Sequence, residues 1–218
     1  MKDNALTGVW VVNVDQRRSR REPDRVEEVL DLTRSLAGVV LGFERTAGDE
    51  VQGLLAEPSA VTDLVAGLAR LDAARRFEEP GWRIGIGLGD VEDRTVASTR
   101  EARGSAYLSA RQAIDEAARA PARLALRSAR RDDVAPGHLA EAALILFRTL
   151  LTRRTDKGWE VVDAMADGAT QAQVAERLGV SESAVSQRLG RAGWREGVRG
   201  AELVTSLLAA VQDRGGSG

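Results

Sequence analysis

Apolar positions fall into two rhythms along this chain. Residues 8–14, GVWVVNV, form an unbroken β-branched and aromatic run, too short for a typical helix, which predicts a strand buried on both faces. After Pro23 the spacing becomes helical, with Val26, Val29, Leu30, Thr33, Leu36 and Val40 on one stripe. Residues 42–45 and 51–56 read as a strand pair around the turn Ala47-Gly48-Asp49-Glu50. Pro58 opens a second helix, with Val61, Leu64, Val65, Leu68 and Leu71 inside. Residues 82–88, WRIGIGL, predict a strand with glycines alternating on one face. A helix over 105–119 and an edge strand over 123–127 follow. The order is βαββαβ with additions, a ferredoxin-like α+β arrangement.

The pattern then turns wholly helical. The charged run 127–133 with Ala135-Pro136-Gly137 predicts a linker over 129–138, dividing a domain at 1–128 from a helical domain at 139–218. Helices are expected over 139–153, 157–166 and 199–211. Between them lies a helix-turn-helix at 170–192, TQAQVAERLGVSESAVSQRLGRA. Thr170 and Gln173 form a capping-box pattern, and Gly179 stands where a left-handed cap needs no Cβ. Val174, Ala175, Leu178, Val180, Val185 and Leu189 point inward, and Ser181 caps the second helix. Ser183, Ser186, Gln187 and Arg188 are left to face bases, with Arg191 and Arg195 toward phosphate. "AERLGVSESAVSQRL" resembles the helix-turn-helix of bacterial regulators and of sigma-factor region four.

Composition narrows the chemistry. With no cysteine and one histidine, His138, thiolate and His-rich metal sites are excluded. The net charge of −2 does not announce nucleic-acid binding, so any DNA contact depends on a local basic face. Residues 1–4 are polar and no apolar run approaches membrane-spanning length, so a cytoplasmic protein with no membrane partner is expected. Trp10, Trp82, Trp159 and Trp194 are read as core packing, and Gly85, Gly87 and Gly89 do not match a dinucleotide fingerprint.

Asp15 ends the first strand and Asp49 sits in the hairpin turn. A βαββαβ sheet brings these two places side by side, where paired carboxylates suit a hard divalent cation. Gly48 would let backbone approach a phosphate, and Arg17, Arg18, Ser19, Arg20 and Glu50 lie within local reach. "VNVDQRRSRR", "FERTAGDEVQGLL" and "RIGIGLGDV" resemble the core of nucleotidyl-cyclase-like domains, including class III cyclases and GGDEF domains. The resemblance implies that Asp15 and Asp49 hold metal, with Mg2+ and a purine nucleotide or cyclic dinucleotide as ligand. It departs at Leu108 and Gln112, which stand where an ungapped reading puts the cyclases' transition-state Asn and Arg. No catalytic residue is therefore assigned. Across most of its length the chain resembles the SatD family, through Asn13-Val14-Asp15 with Ser19-Arg20, residues 46–50, and residues 104–107. The Gly that precedes the Asp in that family is missing here.

Together these readings predict a bacterial DNA-binding transcriptional regulator. Its partners would be double-stranded DNA, a second copy in a homodimer and a nucleotide. The alternative is a metal-dependent nucleotide-processing enzyme using Asp15 and Asp49.

Overall fold

The computed structural model describes residues 5–17, 22–73, 80–93, 95–130, 134–166 and 168–213. Strand β1 (Leu6–Gln16) is followed by α1 (Val26–Arg34), β2 (Val39–Ala47), β3 (Glu50–Leu55), α2 (Pro58–Ala73) and β4 (Trp82–Val91). Then come α3 (Ser105–Ala117), a 3-10 turn at Pro121–Arg123 and β5 (Leu124–Ser128). The sheet order is β2-β3-β1-β4-β5. The first four strands pair antiparallel, as a βαββαβ unit requires, and β5 adds parallel to β4 at the edge.

Alternation along β1 explains its unbroken apolar run. Trp10, Val12 and Val14 enter the main core with α1 and α2, while Val9 and Val11 enter a smaller core under α3. The glycines of β4 face α3. A Cβ on Gly85, Gly87 or Gly89 would meet backbone of α3 at 2.2–2.5 Å, so the row is a track on which that helix lies.

The helical part comprises α4 (Val134–Thr152), α5 (Asp156–Ala166), α6 (Gln171–Leu178), α7 (Glu182–Arg191) and α8 (Trp194–Asp213). The chain is thus α+β, a five-stranded mixed sheet followed by helices that contain a helix-turn-helix. Two expectations need correction. Helix α4 begins inside the expected linker, and the residues on either side of it are anchored. Arg127 pairs with Glu116 and with Glu141, 3.1 Å away, and Glu141 accepts the Leu126 N–H at 2.9 Å. Helix α4 also has the length and apolarity to cross a bilayer, contrary to the expectation that no segment does. Its Ala140, Leu144, Phe147 and Leu151 are instead buried in the main core, where α4 packs on α2, β5 and α8.

One core therefore runs through both halves. At its centre Arg148 of α4 is sealed from solvent. Its guanidinium donates to the Ala122, Arg123 and Trp82 carbonyls and meets the Asp72 carboxylate of α2 at 3.1 Å. Ala122 and Arg123 have φ of 50° and 52°, a left-handed turn that presents their carbonyls to this one side chain. At the other end of the seam, Gln212 of α8 donates to the carbonyls of Gly8 and Ala56.

Candidate functional site

The helix-turn-helix forms from local rules. The Thr170 hydroxyl accepts from the Gln173 N–H at 3.3 Å, and the Gln173 side chain accepts from the Thr170 N–H at 2.8 Å. Gly179 caps α6 in the left-handed conformation, φ 63° and ψ 36°. Ser181 caps α7 by accepting from the Ala184 N–H. Val174, Ala175, Val185 and Leu189 are buried between the helices, and Leu178 and Val180 are half-buried.

The outward face of α7 carries Glu182, Ser183, Ser186, Gln187 and Arg191, all exposed, with exposed Arg195 beyond it. Arg188 is placed differently from its neighbours. It turns toward α5, and its guanidinium lies 3.3 Å from the Glu160 carboxylate. Arg154 was not foreseen. Buried against α7, it donates to the Ala192 and Gly193 carbonyls and lies 4.7 Å over the Trp159 ring. It thereby satisfies the Ala192 carbonyl at the end of α7 and shares the Gly193 carbonyl with the Gly197 N–H.

In the sheet, Asp15 pairs in register with Glu50 on one side and Arg83 on the other. Asp49 occupies the adjoining turn, where its carbonyl accepts from Gln16 N at 3.4 Å. The expected juxtaposition of Asp15, Gly48, Asp49 and Glu50 is present. It also includes two arginines that sequence spacing did not reveal. Arg83 forms an ion pair with Asp15, and Arg111 of α3 lies 3.3 Å from Glu50. Burial pushes the Asp15 carboxyl up to about 6 against the pull of Arg83, with Asp49 and Glu50 adding to the rise. Arg83 thus supplies positive charge beside the carboxylate that a cation would use. Among the described residues, no group of three or more acidic or histidine side chains is disposed to hold a metal ion. Leu108 is exposed, and Gln112 bonds Glu116 along its own helix. Arg18, Ser19 and Arg20 lie outside the described residues; Arg17 donates to the Pro80 carbonyl.

Residues 150–193 match the family described as Sigma-70, region 4. That segment spans α5, α6 and α7 and is a helix-turn-helix region of DNA-binding type. No curated protein matches the chain. Among solved structures, the chain is similar to a regulator of polyketide synthase expression from Bifidobacterium adolescentis. Identity is 17% and the TM-score 0.28, covering 96% of this chain and 82% of that one.

Proposed function

We propose that the protein is a bacterial transcriptional regulator, acting in the cytoplasm, that reads duplex DNA through α7. The observation that carries this reading is the polar outward face of α7, mounted on a capped helix-turn-helix inside the segment matched by sigma region 4. Ser183, Ser186, Gln187 and Arg188 are the base-facing set and Arg191 and Arg195 the phosphate contacts; Arg188 leaves Glu160 to join them. Selection of bound duplexes from a random library tests this. An enriched sequence that the Ser183/Gln187/Arg188 triple alanine no longer prefers is the expected result. No enrichment, or equal binding by the triple variant, ends the reading.

The N-terminal half is assigned a sensing or dimerising role in the manner of a SatD-like, cyclase-like domain. The burial of Asp15 beside Asp49 and Glu50 favours a site for a purine nucleotide with a divalent cation. Arg83 must turn away from Asp15 to admit the cation. Calorimetry with magnesium and a purine nucleoside triphosphate should give binding that Asp49→Asn abolishes; unchanged affinity in Asp15→Asn and Asp49→Asn removes the site. A cyclic product from the wild type would make the protein an enzyme.

A further inference from the structure

Helices α4 and α8 lie side by side and antiparallel. A Cβ on Gly200 would meet Phe147 at 3.0 Å, and one on Gly193, just before α8, would meet Leu150 at 3.0 Å. Each helix buries one seam in the core, and among the described residues each carries a second apolar row that faces solvent. On α4 the row is Leu139, Ala142 and Leu146; on α8 it is Leu203 and Ala210. Seven-residue spacing keeps each row on one side of its helix, as in the seam of a helical bundle. Only 33% of the most apolar stretch of α4 is buried, and a helix apolar all round is normally covered all round. The end of this face is charged. Arg153, just past α4, and Glu196, in the first turn of α8, stand exposed at the same end of the helix pair. Among the described residues neither makes an ion pair.

We propose that this two-helix face binds a second copy of the chain, the four helices closing into a bundle about a dyad parallel to their axes. Helix α4 then lies on the partner's α8, with Leu139 and Leu146 against the partner's Leu203, and Arg153 against the partner's Glu196. Each contact occurs twice, and both apolar rows are buried at once, as in an antiparallel four-helix bundle. The charges select this dyad. A dyad perpendicular to the helices would carry the partner's Glu196 to the far end from Arg153. The same choice brings both copies of α7 to one end of the bundle, because α7 leads directly into α8. Two reading helices at one end are what a palindromic duplex requires. That consequence rests on the DNA-binding reading; the face and its occupant do not.

The test follows the full chain, without DNA, by sedimentation across micromolar concentrations. The wild type should dimerise. Arg153→Glu and Glu196→Arg should each weaken the dimer at least tenfold, since reversal turns two attractions into two repulsions. An equimolar mixture of these two variants should recover to within threefold of the wild type, because each reversed charge then meets its opposite. Leu146→Glu should weaken the dimer at least tenfold by placing a charge in the apolar row. Circular dichroism confirms that every variant is folded. A wild type that stays monomeric leaves the face to a different occupant and overturns the proposal. Dimers indifferent to both charge reversals place the contact elsewhere, and a mixture no tighter than its components refutes the pairing; either result overturns it. If the dimer behaves as expected and no duplex is enriched, the DNA reading alone has failed.

Discussion

The Asp72 carboxylate of α2 and the Arg148 guanidinium of α4 meet 3.1 Å apart, 4% and 0% exposed, across the seam between the sheet and the helices. Asp72 also accepts the Gly81 N–H, so each charge is held by several groups. Removing one partner strands the other in the core, a change that typically costs about 3–5 kcal/mol. Asp72→Ala is expected to fall in that range by urea unfolding. Asp72→Leu with Arg148→Met should cost far less than the sum of the single changes. Additive losses would show that the pair is not coupled.

Stability should fall as pH rises past Asp15. Its folded carboxyl titrates near 6, against an ordinary value of 3.8. Between these values the folded state holds a proton that the unfolded chain has released, so stability is greater at pH 4 and declines toward pH 6 by about 1.4 kcal/mol per pH unit from this group. Asp72 and Asp63, also raised by burial, act in the same direction. Thermal melts from pH 4.5 to 7 should show a shallower decline in Asp15→Asn than in the wild type.

On DNA, Gln187→Ala is expected to weaken specific binding by about 1–3 kcal/mol and to relax preference at one base position. Arg195→Ala should weaken all sequences alike and flatten the salt dependence. Salt titrations on selected and scrambled duplexes separate the two.

A two-fold dimer would double the footprint of one helix-turn-helix. Leu139 and Leu146 of α4 and Leu203 of α8 are exposed, at 62%, 72% and 55%, on the helices that join the two halves. Light scattering at micromolar concentration is expected to show a dimer that Leu146→Glu with Leu203→Glu converts to monomer. A monomeric wild type, with and without DNA, excludes it.

How much of this was legible depended on distance along the chain. The Thr170–Gln173 box, the Gly179 turn and the Ser181 cap are settled within three or four residues, so the sequence pattern predicts them directly. The neighbouring places of Asp15 and the Asp49 turn followed from strand order alone. Arg83 and Arg111 were missed because their carboxylate partners come from other strands, and runs of charge look alike whether solvated or paired. Arg148 and Arg154 were missed because they bond backbone carbonyls 25 to 66 residues away, which no side-chain spacing encodes. The segment after β5 read as linker for the same reason: the partners of Arg127 lie on α3 and α4.

Gly87→Ala tests the track under α3. The added Cβ would meet the Ala110 N at 2.2 Å, backbone with no rotamer to yield. A loss of about 1–3 kcal/mol or more is expected, the range for an overpacked core. Gly190→Ala, with nothing within 4 Å, is the matched control. Equal melting temperatures for the two variants would show that α3 does not rest on the strand.

That bare track has a mechanical consequence. Side chains between a helix and a sheet act as a compliant layer, absorbing small displacements by changing rotamer. Along Gly85, Gly87 and Gly89 the layer is absent, and α3 and β4 form a stiff laminate. The Arg111–Glu50 pair fastens the β2–β3 hairpin to the same plate. A displacement of α3 therefore carries β4 with it, because no side chain lies between their backbones to absorb it.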